Sequence, residues 1–331
     1  MRGIAFAVIF GLSLFLTPVA RWLSRHIGAV DVPKDWRRMH TDSVPRAGGI
    51  AVLTAIAAGW LLFCPHTLSM LCGLAGGAAI FCIGLSDDIY RLPAKGKFAV
   101  QLLASIAAAV GFGARTPLRF FATVLWLLAM TNAHNFIDGL DGLFAGSAAV
   151  EGLGLGMICF LTGNGSAVLP PMLISAACLG FLRYNRPPAS VFAGDCGSGA
   201  VGFLLGVCAL PVFRGATWFL GYLAPLFVFA YPLTDLFTAV LRRTARGKSI
   251  FAADRAHFHH SICATGLPQA RCTVLLVALS VALTVCGVLL CEAALAVPAA
   301  CAMVLTALFL AFSGRFLFRF AEKQGKVFRG P

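Results

Sequence analysis

Long apolar runs alternate with short polar segments along the whole chain. Eleven such runs are visible, at about residues 4–23, 48–63, 68–86, 98–113, 117–131, 143–161, 167–182, 199–213, 217–241, 271–291 and 294–313. A helix needs roughly 20 apolar residues to cross a bilayer, and somewhat fewer when its ends lie in the interface. The pattern therefore predicts an all-α polytopic integral membrane protein with about 11 transmembrane helices, forming a single domain over residues 1–331.

The basic residues predict the direction of the spans. With the N-terminus outside, 22 of the 26 lysines and arginines fall on one side of the membrane, and only Arg2, Arg115, Arg119 and Arg214 fall on the other. Because basic residues accumulate in cytoplasmic loops, the C-terminus is expected in the cytoplasm. The predicted cytoplasmic loops lie at about residues 24–47, 87–97, 132–142, 183–198 and 242–270.

Composition agrees with this class of protein. Hydrophobic residues make up 59% of the chain, charged residues 12%, and the mean hydropathy is +0.87, all outside the usual soluble range. The net charge of +13 is explained by the cytoplasmic loops, so no nucleic-acid partner is expected. The twelve cysteines form no Cys-x-x-Cys pair, which indicates neither a zinc site nor a disulfide framework.

Four polar segments interrupt the apolar pattern, and all four fall on the predicted cytoplasmic side. The most polar is residues 132–143, and the others are Asp87-Asp88, residues 194–198 and residues 257–260. Carboxylates, amides and a histidine at the mouth of a span are costly unless they have partners. The simplest interpretation is an active site at the cytoplasmic surface of the membrane.

Asp87 and Asp88 end the third apolar run, where either of two interpretations applies. They are solvated charges at a helix end, or they are stabilised by a magnesium ion or by Lys95 and Lys97. Two adjacent carboxylates repel one another and oppose the dipole at a helix C-terminus, which favours the second interpretation. Such a pair also offers a base for a phosphate nucleophile.

The segment Gly194-Asp195-Cys196-Gly197-Ser198 is either a turn or the entrance to a span. In the second case a helix beginning near Ser198 offers free N–H groups that suit a phosphate. Asp195 is then placed to hold magnesium against that phosphate, since Mg²⁺ favours one or two carboxylates plus substrate phosphates.

Three histidines, His257, His259 and His260, lie in a basic loop. Their spacing is poor for zinc, because adjacent histidines on a helix point apart, and a diphosphate suits them better. A surface segment that is merely charged is the alternative.

The four segments together resemble one known family. In chain order they are Asp87-Asp88, Asn-x-x-Asn-x-x-Asp-Gly-x-Asp-Gly-Leu at 132–143, Phe-x-Gly-Asp-x-Gly-Ser at 192–198 and Asp-Arg-x-His-x-His-His at 254–260. The Pro232–Asp235 segment, Asp31-Val-Pro33, His40 and residues 45–49 complete the pattern. It resembles the polyprenyl-phosphate N-acetylhexosamine-1-phosphate transferase family (glycosyltransferase 4), and its WecA/TagO branch more than its MraY branch.

The resemblance implies an activity and a role for each motif residue. Family members transfer a sugar-1-phosphate from a UDP-sugar to undecaprenyl phosphate, release UMP and require Mg²⁺, for which Mn²⁺ is an expected substitute. By position, Asp87 matches the proposed base with Asp88 in support, and Asp195 and Asn135 match the metal ligands. The residues expected to contact or support the substrates are Arg46, Lys97, Asn132, Asp138, Asp141, Phe192, His257, His259 and His260. Asp141 and Phe192 fall where the family grips uracil. Cys196 and Arg91 depart from the commoner residues, which affects only the expected fine geometry.

GlcNAc-1-phosphate is the expected group transferred, in the first membrane step of a cell-envelope polysaccharide pathway such as lipopolysaccharide or teichoic acid synthesis. GalNAc-1-phosphate and phospho-MurNAc-pentapeptide remain alternatives. The expected location is the bacterial cytoplasmic membrane with the active site facing the cytoplasm, and a homodimer is compatible with the resemblance. A transporter is the alternative of a different class, although transporters place ionisable groups near the bilayer midplane, where only Glu151 lies. A lipid phosphotransferase acting on CDP-alcohols and a silent scaffold are further alternatives.

Overall fold

The protein, described here by a computed structural model, is mostly helical in residues 1–31, 43–215, 219–249 and 257–291, the ranges that the structure describes. The helices are α1 (Arg2–His26), α2 (Gly49–Phe63), α3 (Leu68–Tyr90), α4 (Ala94–Gly111), α5 (Pro117–Ile137), α6 (Leu143–Leu161), α7 (Leu169–Asn185), α8 (Gly194–Gly215), α9 (Phe219–Val228), α10 (Ala230–Ala245), α11 (Phe258–Cys263) and α12 (Gln269–Leu289). A short 3-10 turn, Gly165–Ala167, precedes α7.

The predicted membrane architecture is confirmed in its class. Seven of the described helices are long and apolar enough to cross a membrane, or eight if α9 and α10 together form one broken span. The first ten predicted runs each coincide with a helix or, for 217–241, with the α9–α10 pair. The eleventh, at 294–313, lies outside the described residues, as does the C-terminal tail. The total of about 11 spans and the direction of the termini stay predictions.

The run at 217–241 was expected to be one span, but it bends by 78° between its two helices. The break falls at Phe229, between Val228 and Ala230. Pro232 explains its position, because proline has no N–H to donate to the carbonyl four residues earlier, at Val228. The chain therefore changes direction inside an apolar segment that hydropathy alone shows as continuous.

Other helix boundaries also differ from the prediction, and two of them lie in the polar segments 132–143 and 194–198. Helix α5 was expected to end near residue 131 but continues to Ile137, and α8 was expected near Ser198 but begins at Gly194. Asn132 is tolerated inside α5 because its amide donates to the Leu128 carbonyl at 2.8 Å. Polar side chains that bond to their own helix do not end it.

Helix α8 lies at the centre of the bundle and is the most deeply buried of the long helices in the described ranges. It packs chiefly against α3 and α5, while α7 packs against α1 and α6. Glycines allow backbones to meet near its first turn. A Cβ on Gly49 would collide with the Gly197 backbone, and one on Gly84 would lie 2.6 Å from the Cys196 Cα. These contacts bring the ends of α2 and α3 onto α8.

A small antiparallel ribbon, β1 (Val30–Asp31) and β2 (Val44–Pro45), precedes α2, with Val30 opposite Pro45. After β2 the chain pairs with the segment before α8. The Phe192 N–H donates to the Pro45 carbonyl at 2.8 Å, and the Gly48 N–H donates to the Phe192 carbonyl at 2.8 Å. This pairing holds Arg46 beside the first turn of α8.

Candidate active site

The motif residues on α3, α4, α5 and α8 gather at one end of the bundle, where α3 and α5 end and α4 and α8 begin. At its centre the Lys97 ammonium donates to Asp87 Oδ2 and to Asp195 Oδ2, each at 2.8 Å. Arg46 pairs with Asp88 at 2.9 Å and lies 3.6 Å from Asp195 Oδ1. Two cations thus hold three carboxylates drawn from two helices.

Asp88 closes the N-terminus of α8. Its carboxylate oxygens accept the backbone N–H groups of Asp195 and Cys196, each at 3.1 Å, and its side chain is 0% exposed. The Asp138 carboxyl group faces the N–H of Gly194, the first residue of the helix. The predicted helix start near Ser198 is therefore wrong. The helix begins at Gly194, and the Asp88 carboxylate already occupies the N–H groups of Asp195 and Cys196 in its first turn. Asp88 acts on the site through α8 and Arg46.

Asp87 lies closer to the surface than Asp88, with 12% of its side chain exposed. Besides Lys97 it binds the N–H of Leu92 at 2.6 Å, which closes the turn after α3. Arg91 ends that helix in the left-handed region with φ 56°. The hydrogen bond from Leu92 stabilises a turn that a non-glycine residue adopts at a cost.

The charges of this cluster do not balance among the described residues. Four carboxyl groups, of Asp87, Asp88, Asp138 and Asp195, lie around two cations, Arg46 and Lys97, so even with a proton on Asp138 the three others leave one negative charge in excess when ionised. Burial, reinforced by Asp195 and Asp88, holds the pKa of Asp138 well above its usual range. Burial disfavours the charged form of Arg46, but Asp88 and Asp195 outweigh it and raise its pKa. A divalent cation would neutralise the excess.

Asn135 is tied to the turn of α8 that follows Asp195. Its Nδ2 donates to Ser198 Oγ at 3.2 Å, and Ser198 lies one turn after Asp195 on α8. The amide oxygen accepts no hydrogen bond from the described residues. A carboxylate and an amide oxygen are hard donors of the kind that Mg²⁺ prefers, so the residues present fit this ion. Asn132, one turn earlier, donates to Gln101 at 3.0 Å and joins α5 to α4.

The segment that carries Phe192 is tied to the acidic loop 138–142. Asp141 is 3% exposed, and its carboxylate accepts the Ala189 N–H at 2.9 Å. Asn185 accepts the Gly142 N–H at 3.2 Å and donates to the Val191 carbonyl at 3.0 Å. The half-buried Phe192 thus lies on a segment that hydrogen bonds hold in place. Contacts of Asp141 and Phe192 with uracil stay predictions.

The histidine segment docks on the end of α5. His257 shares a hydrogen bond of 2.9 Å between Nδ1 and Asp235 Oδ2, and Asp235 Oδ1 accepts the Phe258 N–H at 2.8 Å. The His257 ring lies 4.9 Å from that of Phe136, edge to face. Asp235 therefore orients His257 and caps α11. The sequence placed Asp235 in the family pattern but gave it no role, and its only local signal is a carboxylate within an apolar run.

His259 stacks on His257, with ring centroids 5.6 Å apart, and lies 4.2 Å from His260. A Cβ on Gly139 would collide with the His259 ring, so this histidine packs directly on the acidic loop. It is 1% exposed, and neither ring nitrogen has a hydrogen-bond partner among the described residues. Burial, followed by the charge of His260, lowers the pKa of His259 to about 3. Asp254 and Arg255 lie outside the described ranges.

Comparison with known proteins relates this chain to one family. Residues 70–212, from α3 to α8, match glycosyl transferase family 4. The chain is 34% identical over 293 residues to a probable undecaprenyl-phosphate N-acetylglucosaminyl 1-phosphate transferase of Bacillus subtilis, an alignment that covers 83% of this chain and 80% of the relative.

Two further relatives agree. A decaprenyl-phosphate N-acetylglucosaminephosphotransferase of Mycobacterium tuberculosis is 33% identical over 321 residues, covering 83% of this chain and 78% of the relative. An undecaprenyl-phosphate alpha-N-acetylglucosaminyl 1-phosphate transferase of Escherichia coli is 30% identical over 305 residues, covering 82% and 78%. The resemblance found in the motifs is thus confirmed over most of the chain, which belongs to glycosyl transferase family 4, the family of polyprenyl-phosphate N-acetylhexosamine-1-phosphate transferases.

Proposed function

We propose that this protein transfers N-acetylglucosamine-1-phosphate from UDP-GlcNAc to undecaprenyl phosphate and releases UMP, with Mg²⁺ as cofactor. The names of the three relatives support the acceptor and the sugar, since each contains a polyprenyl phosphate and N-acetylglucosamine. The bacterial cytoplasmic membrane is the proposed location, with the site facing the cytoplasm. The product begins a polysaccharide of the cell envelope.

The observation that carries this proposal is the position of Lys97 between Asp87 and Asp195. Both substrates are polyanions, so a site that joins them must neutralise their repulsion. Lys97 and Arg46 supply fixed positive charge, and the carboxylates hold both cations in place. The helix ends put this cluster at the end of the bundle, where a lipid-borne phosphate and a soluble nucleotide can both arrive.

In the proposed reaction an oxygen of the lipid phosphate forms a bond to the β-phosphorus of the UDP-sugar. The bond from that phosphorus to the bridging oxygen breaks, and UMP leaves with the electron pair. Asp87 holds Lys97 at the site and is the proposed acceptor of a proton from a protonated lipid phosphate. Lys97 and Arg46 stabilise the charge that develops on the phosphoryl oxygens.

Asp195 and Asn135 would hold the magnesium ion, which supplies Lewis-acid neutralisation of the diphosphate when bound. Asp88 keeps the first turn of α8 in place through the N–H groups of Asp195 and Cys196, and so fixes the direction of the Asp195 side chain. His257, held by Asp235, is the proposed contact for the sugar or diphosphate. Asp141 and Phe192 are the proposed uracil site.

The test is UMP release by purified protein supplied with Mg²⁺, undecaprenyl phosphate and a panel of UDP-sugars. UDP-GlcNAc is expected to give UMP, and Asp195→Asn is expected to abolish its release. UMP from only UDP-GalNAc or UDP-MurNAc-pentapeptide would correct the sugar. No UMP from any of them would contradict the proposed transferase and leave a transporter to be tested, for which loss of transport in a Glu151 variant but not in Asp195→Asn would be the sign.

A further inference from the structure

His134 and Glu151 form a buried pair that joins α5 to α6. His134 Nε2 and Glu151 Oε2 lie 2.7 Å apart, His134 Nδ1 lies 2.9 Å from the Met130 carbonyl, and both side chains are 0% exposed. Neither residue belongs to the proposed catalytic or binding set. Glu151 is also the acidic residue that the sequence places well inside a span.

The hydrogen bonds show how this carboxyl group is accommodated. A carbonyl oxygen only accepts, so His134 Nδ1 must carry the proton of its bond to Met130. The contact between Nε2 and Oε2 then contains one further proton, held either by the imidazole or by the carboxyl group. The pair has no net charge in either arrangement, so the interior carries no uncompensated charge.

Stability alone does not account for the pair. Glu151 Oε1 is buried and has no hydrogen-bond partner among the described residues, and the buried Tyr231 hydroxyl likewise has none. Unpaired buried polar atoms destabilise a fold, and apolar residues of similar volume often serve as well or better. The best-attested role of a buried polar pair is to fix one arrangement of the neighbouring helices.

His134 lies in the last turn of α5, so the pair acts on the position of that turn. A Cβ on Gly202 would lie 2.7 Å from the His134 Cβ and 2.5 Å from the Met130 carbonyl oxygen, so α8 packs directly on this turn. The Phe229 ring, at the break between α9 and α10, lies 6.3 Å from the His134 ring. Asn135 follows at once, and the acidic loop begins three residues later. The pair thus ties the two helices that flank this loop.

We propose that the hydrogen bond between Glu151 and His134 sets the axial and rotational position of the end of α5, and thereby the position of the Asn135 amide at the cation site. Both residues are positioning residues. The inference rests on the proposed function, because it takes Asn135 to be a ligand of Mg²⁺. Its test uses cation binding without substrate as well as turnover.

The decisive variant is the double substitution His134→Phe/Glu151→Leu, which removes both polar groups and keeps the volume similar. The matched control is Ser147→Ala/Ser280→Ala, which removes another buried hydrogen bond of α6, the 3.2 Å contact with α12 one turn before Glu151. Each protein is assayed for melting temperature, for Mn²⁺ binding by electron paramagnetic resonance, and for kcat and KM.

The double variant is expected to melt near the wild-type temperature. It is expected to bind Mn²⁺ about 10-fold more weakly and to have a kcat lower by a similar factor, because losing a group that orients a metal ligand commonly has an effect of this size. The serine control is expected to keep the wild-type Mn²⁺ affinity and the wild-type kcat. Wild-type Mn²⁺ affinity in a folded double variant would overturn the inference. A wild-type protein that binds Mn²⁺ but releases no UMP would contradict the proposed function instead.

If the double variant does not fold, the Mn²⁺ affinities of Glu151→Gln and Glu151→Ala are compared to test the inference. Glutamine can donate to His134 Nε2 and is expected to keep Mn²⁺ affinity within about twofold, whereas alanine is expected to weaken it about 10-fold. Equal affinity in the two variants would overturn the inference.

Discussion

The Asp88 carboxylate accepts the Asp195 backbone N–H at 3.1 Å, which joins the end of α3 to the beginning of α8 across 107 residues. The same carboxylate binds the Cys196 N–H and Arg46. The two adjacent carboxylates therefore have different surroundings: Asp88 is enclosed, and Asp87 is partly open to the site beside Lys97. This difference predicts different consequences when each is changed.

Asp88→Asn is expected to lower both stability and turnover, because an amide has one acceptor oxygen for two N–H groups and leaves Arg46 without its closest carboxylate. Leaving buried partners unmatched typically destabilises by about 1–3 kcal/mol. Asp87→Asn is expected to lower kcat with a smaller change in melting temperature. Thermal unfolding and UMP release are measured for both variants. An equal fall in melting temperature in Asp87→Asn and Asp88→Asn would contradict the distinction.

Lys97→Met removes the cation that bridges Asp87 and Asp195, so turnover is expected to fall by about 100-fold or more, in line with the loss of a group that stabilises transition-state charge. Mn²⁺ binding without substrate is expected to persist or strengthen, because Lys97 no longer competes for the Asp195 carboxylate. Lys95→Met is the control, since Lys95 lies on the same turn but is exposed. Loss of Mn²⁺ binding in Lys97→Met would contradict this role.

Much of the fold follows from hydrophobic pattern alone. The apolar runs predicted the long helices, and the polar residues at their ends predicted where the site residues gather. The break at Phe229 was not predicted, although Pro232 was the available signal. A proline within an apolar run is compatible with a kink or a full change of direction, and packing against the rest of the bundle decides between them.

The site was predicted in its membership more than in its contacts. The sequence selected Arg46, Lys97 and Asp195, and the structure places their charged groups together. It did not indicate that Asp88 caps α8 or that Asp235 orients His257. Both contacts join residues far apart in the chain, and a local pattern contains no information about such pairings. The pair of His134 and Glu151 was missed for the same reason.

The buried His259 predicts a pH dependence of stability. Its pKa is lowered to about 3 in the folded protein, against about 6.5 when unfolded, so the unfolded chain binds a proton that the folded protein excludes. Stability is then unaffected above about pH 7 and falls as pH drops from about 6.5 towards 3. At pH 5 the loss from this residue is up to about 2 kcal/mol.

His259→Asn removes this difference in proton binding, so the melting temperature of the variant relative to wild type is expected to rise as the pH is lowered from 7.5 to 5. The exposed His66, changed to Gln, is the matched control and is expected to leave the difference unchanged. A pH-independent difference for His259→Asn would show that the histidine is not held neutral.

Phe192→Ala tests the proposed uracil site. The backbone of Phe192 is held by Pro45 and Gly48 at 2.8 Å each, so truncation of the side chain is expected to leave the segment in place. Loss of stacking on a base corresponds to about 1–3 kcal/mol, which predicts a KM for the UDP-sugar raised by about 5-fold or more. The KM for undecaprenyl phosphate and the kcat are expected to change little, because this interaction is the same in the bound substrate and the transition state. Steady-state kinetics with each substrate varied in turn measure this, and a rise confined to the lipid KM would move Phe192 from the nucleotide to the lipid side of the site.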